Sequence, residues 1–189
     1  DNDGGKAFYQ ALFARCSFMM GMIVAHPKVI IAEVNGIATA AGCQLVAACD
    51  MAVAGASAQF GVNGINSGLF CSTPMVALSR NIGRKRAMEL LTTGSLINAH
   101  EAMTAGIVNK ICADDDLSMV THQLAATLAS RSQAVLALGK QAFYEHLEMP
   151  LEQAYQHTSK VIVDNLMMRD AEEGIGAFLE KRKPDWKDE

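Results

Sequence analysis

Apolar residues recur at Phe8, Leu12, Cys16, Met19, Met20 and Ile23, a three-and-four spacing that predicts a helix over Lys6–Ala25 with one apolar face. Pro27 closes it, because the residue before a proline avoids helical geometry. Residues 28–34 are an apolar run rich in β-branched side chains, the pattern of a strand covered on both faces. Asn35-Gly36 then turns the chain sharply. The run Ala38-Thr39-Ala40-Ala41-Gly42 is almost without side chains and leads into a short apolar helix over 43–48. A second strand is predicted over 50–54, and 56–69 reads as irregular and glycine-marked.

Pro74 opens a helix through Ile82 that Gly83 stops, and residues 84–91 form another, ended by Gly94. Asn98 caps a short helix to Ala105, Gly106 ends it, and 107–112 reads as a strand. From Asp115 only helical periodicity remains, over 117–129, 132–147, 150–168 and 171–181. Strands alternating with helices, followed by helices alone, predict an α/β core over 1–113 and a helical C-terminal region over 114–189.

A chain of 189 residues is long enough for a domain with its own core. The net charge of −4 argues against a nucleic-acid partner, which calls for a basic face. No uninterrupted apolar run long enough for a membrane span is found. Five cysteines without a CxxC pair give neither a disulfide framework nor a metal site, and predict reduced, mostly buried thiols. The eleven methionines, with Met19-Met20 and Met167-Met168 adjacent, fit adaptable packing or interface filling.

Candidate chemistry centres on the small-residue run. The first amides of a helix lack intrahelical partners and carry the positive end of its dipole, so a ligand oxygen is well placed against them. The competing reading is a strand-to-helix turn whose small residues serve packing alone. There is no G-x-S-x-G elbow and no HExxH. His26, His100, His122, His146 and His157 stand singly. Asp50 reads as a turn carboxylate, and Glu33 as one paired inside a strand.

Ile31-Ala32-Glu33-Val34-Asn35-Gly36, Ala40-Ala41-Gly42-Cys43, Ala48-Cys49-Asp50 and Ala58-Gln59-Phe60-Gly61 together resemble the signature of the crotonase (enoyl-CoA hydratase/isomerase) superfamily. Gly83 to Gly94, Ala99 to Val108 and Phe178 to Trp186 resemble further segments of that family, in the same order. The resemblance implies a β-β-α superhelix, its N-terminal part absent here, and a helical tail that builds a homotrimer or a dimer of trimers. It implies no cofactor beyond a coenzyme A thioester as substrate or ligand, a place in fatty-acid metabolism and a mitochondrial location.

In that family the thioester oxygen sits between two backbone N–H groups. The resemblance places one of them at Ala41, beside Ala40, and the other in the absent N-terminal part. It also places the two hydratase glutamates at the positions of Gln44 and Gly64, neither of which exchanges a proton near neutral pH. Leu69, Cys71 and Ser72 fall in the loop expected to face the acyl chain, and Lys181 at a position that reaches a CoA phosphate. Lys181 also suits the negative end of a helix dipole without any ligand. Standard hydratase chemistry is therefore in doubt. The alternatives are a non-catalytic acyl-CoA-binding regulatory or structural subunit, and a decarboxylase or thioesterase that relies on the oxyanion cradle.

Overall fold

The computed structural model describes residues 3–189, which divide into two compact units: residues up to Val24 with Ile30–Gln123, and Ala25–Val29 with Leu124–Glu189. In the first unit α1 (Lys6–Ala25) is followed by β1 (Ile31–Val34), β2 (Ile37–Thr39) and α2 (Ala41–Ala48). Then come β3 (Met51–Gly55), β4 (Gln59–Gly61), a 3-10 helix (Asn63–Ser67), α3 (Pro74–Asn81) and α4 (Arg84–Thr93). The unit continues through β5 (Ile97–Asn98), α5 (Ala99–Ala105) and β6 (Lys110–Cys112).

Two three-stranded sheets run in the orders β1-β3-β6 and β2-β4-β5. β1 pairs parallel with β3, and β2 parallel with β4. Each β-β-α turn thus gives one strand to each sheet and then a helix, the repeat of a superhelix and the architecture that the resemblance implies. Parallel neighbours need a crossover, and α2 supplies it between β1-β2 and β3-β4. The core lies where these turns stack, on Val34, Ala54, Phe60, Val62, Leu78, Leu90 and Ile97. Asn98 caps α5 in a full capping box with Glu101.

Several sequence expectations are corrected. β1 begins only at Ile31, because the Asp50 carboxylate takes the Ile30 N–H at 2.6 Å before the ladder can. It is an edge strand, covered on one side only, and Glu33 is exposed rather than paired inside. The stretch read as irregular holds β4 and the 3-10 helix, both too short for periodicity to reveal. The expected strand over 107–112 shrinks to β6, since the Ile107 N–H closes the end of α5 on the Ala102 carbonyl.

α1 occupies the predicted span, but not with one face buried. Met20 alone is buried, while Phe8, Leu12, Phe13, Phe18 and Met19 are exposed. By length and composition α1 is long and apolar enough to cross a bilayer, although its apolar run is not uninterrupted. Tyr9, Gln10 and Arg15 interrupt that run. Buried helices of soluble proteins pass the same test.

The second unit holds the end of α6 (Leu117–Ala129), then α7 (Gln133–Leu147), α8 (Leu151–Leu166) and α9 (Arg169–Glu180). The C-terminal segment lies back along α9. Asp170, only 1% exposed, accepts from the Lys187 and Asp188 N–H groups at 2.8 and 3.0 Å. Those bonds, with one from the Ser132 hydroxyl, hold its carboxyl below the usual range. Glu173 is held down to about 2, first by the Arg182 guanidinium and then by the Asp185 N–H.

Phe60 is fully buried, so Phe60→Ala should lower stability by about 3–5 kcal/mol in chemical denaturation, whereas Phe18→Ala on the open side of α1 should change it by roughly 0.5 or less. A carboxylate depressed in the folded state stabilises above its unfolded pKa and loses that effect as pH falls through its folded value. The midpoint of the second unit should therefore drop as pH falls from about 4.5 toward about 2, and Glu173→Gln should flatten that dependence.

Candidate functional site

β2 carries the small-residue run to its end at Thr39, and the next residue does the turning. Ala40 has φ 48° and ψ −114°, a left-handed conformation that L side chains rarely adopt and that costs on the order of 1–3 kcal/mol. Two bonds hold it there. Its N–H donates to the Gly61 carbonyl at 2.9 Å, one step beyond the β2–β4 ladder, and its own carbonyl accepts from the Gln44 N–H at 3.0 Å.

That second bond is the first of α2, so the Ala41 and Gly42 amides stand ahead of the helical ladder. Both residues are exposed, and the Ala41 N–H has no hydrogen-bond partner among the described residues. The packing reading of this run accounts for Ala38, Cys43, Ala47 and Ala48, which are buried, but not for these two. What the turn offers is an N–H without a partner among the described residues, on an exposed residue at the positive end of a helix, chemically suited to a carbonyl or oxyanion.

Beneath it lie groups that carry no charge. Gln44 is only 4% exposed, and its Oε1 has the Cys16 thiol of α1 at 3.9 Å as its single donor among the described residues. Burial pushes the Cys43 thiol up to about 11, against the opposing pull of the Gly61 N–H and helped by nearby Cys71. It stays neutral at physiological pH and supplies no thiolate.

The second group of predicted residues gathers around Gly64. The Gly64 N–H donates to the Cys71 sulfur at 3.3 Å, and the Leu69 N–H donates to the Gly64 carbonyl at 3.0 Å. The loop so closed leaves no room at its pivot. A Cβ on Gly64 would lie 2.7 Å from the Leu69 carbonyl oxygen and 2.9 Å from the Cys71 sulfur. Cys71 is buried, while Leu69 is 69% exposed. Ser72 is exposed, and its hydroxyl turns back onto the Phe70 carbonyl at 3.2 Å.

Ala40, Ala41, Gln44, Gly64, Leu69, Cys71 and Ser72 thus share the first unit, and Lys181 belongs to the second. Of the other polar residues considered, Asp50 is the turn carboxylate expected. Sequence reasoning missed the strain at Ala40, the carbonyl of Gly61 that enforces it, and Cys16. Alanine carries no sign of a positive φ, and nothing in the sequence ties Cys16 to a residue 28 positions away.

A family model described as Enoyl-CoA hydratase/isomerase matches residues 3–189. The enoyl-CoA hydratase domain-containing protein 3, mitochondrial, of Homo sapiens is 49% identical over 185 residues, covering 98% of this chain and 61% of that protein. Its counterpart in Xenopus laevis is 47% identical over 182 residues, with 96% and 62% covered. The chain therefore spans under two thirds of the length of these relatives. The crystal structure of human enoyl coenzyme A hydratase domain-containing protein 3 superposes with a TM-score of 0.94 at 48% identity, covering 98% of this chain and 74% of that one. With strands shared between two sheets as a β-β-α spiral, and a match running from residue 3 to residue 189, the chain belongs to the enoyl-CoA hydratase/isomerase, or crotonase, family.

Proposed function

We propose that this chain binds acyl-CoA thioesters in fatty-acid metabolism, with the thioester oxygen on the Ala41 N–H, and that it has lost standard hydratase chemistry. The observation that carries this reading is an exposed Ala41 whose N–H has no partner among the described residues, next to a strained Ala40; the resemblance adds that no carboxylate stands at either glutamate position. Adding to an enoyl thioester, or removing its α-proton, places negative charge on that oxygen. A fixed donor there is commonly worth about 3–4 kcal/mol.

Donors lower the barrier but move no proton. At the two glutamate positions that the resemblance gives, Gln44 offers a carboxamide and Gly64 offers nothing. Gln44 suits orienting a water or a carbonyl. At Gly64 the space for any side chain is filled by the Leu69 carbonyl and the Cys71 sulfur. The exposed Leu69 then serves as an apolar contact for the acyl chain, with Cys71 and Ser72 shaping the loop behind it.

Mitochondrial placement follows the names of the relatives. Assembly as a homotrimer or a dimer of trimers is supported by apolar side chains left exposed on α8 and α9, among them Tyr155, Ile162, Phe178 and Leu179.

Hydration of crotonyl-CoA by the full-length protein should run near background while calorimetry registers binding of the same thioester; a family-typical rate would end the claim of lost activity. Absence of acyl-CoA binding would leave only a structural subunit. Gly64→Glu should lower stability by about 1–3 kcal/mol through overpacking, without bringing hydratase turnover. Ala40→Gly should raise stability in chemical denaturation by about 1 kcal/mol, because glycine adopts this φ without strain and that relief exceeds the entropy it adds to the unfolded chain.

A further inference from the structure

The first turn of α2 leaves two donors without acceptors. One is the Ala41 N–H. The other is the carboxamide nitrogen of Gln44: the side chain is only 4% exposed, yet its Nε2 has no partner among the described residues. Nor is that nitrogen sealed from solvent. An amide N–H in so dry a place costs free energy unless an acceptor reaches it, and the protein supplies none.

The two donors belong together. Residues three apart share a face of a helix, about 5–6 Å apart between Cβ atoms, and helical side chains lean toward the N-terminus. The Gln44 side chain therefore leans back over the turn that carries the Ala41 N–H. A Cβ built on Gly42, between them, would meet nothing within 4 Å, so the turn is open there. Cys16 decides which end of the carboxamide faces outward. Its thiol, half-buried on α1, has Gln44 Oε1 at 3.9 Å as its acceptor, and both residues lie in the first unit. The thiol proton can bond only the oxygen of the carboxamide, since its nitrogen carries donors alone. The oxygen is thus held toward α1 and the NH2 group is turned away. An ionised glutamate at this position would offer acceptors alone.

We infer that Gln44 is a specificity-determining residue, turned by Cys16 as a positioning residue, and that its Nε2 acts with the Ala41 N–H to select acyl thioesters carrying a second acceptor oxygen, the 3-oxoacyl class, over saturated ones. Donors one helical turn apart suit two oxygens set two carbons apart along one chain. The inference rests on the acyl-CoA reading above and goes beyond it by naming the acyl group. It also gives the glutamine a purpose of its own, as a donor and not as a weakened acid.

Calorimetry on the full-length protein, with butyryl-CoA and acetoacetyl-CoA as probes, tests it. Wild-type protein should bind acetoacetyl-CoA about five- to tenfold more tightly than butyryl-CoA, the effect of one added hydrogen bond. Gln44→Met, similar in length and without a donor, should erase that preference and leave butyryl-CoA within about twofold. Gln44→Glu should erase it too, and serves if the first variant does not fold. Cys16→Ala should reduce the preference about two- to threefold, and added to Gln44→Met it should change nothing more, because it acts through that residue. Infrared spectra give a readout independent of binding: the S–H stretching band that Cys16→Ala removes should shift in Gln44→Met. Equal wild-type affinity for the two thioesters, or a preference that survives Gln44→Met, would sink the inference and spare the acyl-CoA reading so long as butyryl-CoA binds. An unmoved S–H band, or a Cys16→Ala loss that adds in full to that of Gln44→Met, would overturn the part given to Cys16. Wild-type protein that binds neither thioester would remove both readings.

Discussion

The bond from the Ala40 N–H to the Gly61 carbonyl governs the first unit. It carries the β2–β4 ladder one residue past the strand, and so pins the chain where a steep turn must begin. With the N–H fixed, Ala40 can reach α2 only through a left-handed backbone, and the helix starts with its first amides turned outward. Gly61 acts on both sides of this turn, since its own N–H also opposes the rise that burial gives the Cys43 thiol pKa. The neighbours of Gly61 in the chain, Phe60 and Val62, are fully buried, so the anchor cannot drift. Strain at one alanine is thus sustained by a core that would have to loosen to release it.

Much of this was legible in advance, and the pattern of misses is physical. Long helices announced themselves through periodicity and stop signals: α1 and α6 occupy their predicted spans, and α3 and α4 lie within a residue or two of theirs. Strands of two to four residues carry too few side chains for a period-two signal, so β2, β4 and β5 are invisible to it and β1 and β6 are drawn too long. Burial was harder still. The apolar positions of α1 predict a covered face, yet most are open, because periodicity reports what a helix can bury and not whether anything lies over it. At the site, residue types were readable and conformation was not. Nothing in the letters separates an alanine at φ 48° from any other.

The second unit uses a different kind of restraint. Its C-terminal segment contributes one large side chain, Trp186, and otherwise holds by carboxylates that accept main-chain N–H groups. Asp170 shows the pattern: a charge almost fully hidden, made tolerable by donors on the segment it captures. Salt screens exposed ion pairs, but it acts weakly on a carboxylate enclosed in this way.

The closed loop around Gly64 also bears on what that position can become. Any side chain at that position meets the Leu69 carbonyl and the Cys71 sulfur, which already hold the volume it needs. A larger residue enters only if a main-chain carbonyl swings away and a sulfur is trimmed as well. Residue 64 is therefore not exchangeable by itself: an acid there calls for several coordinated changes around it.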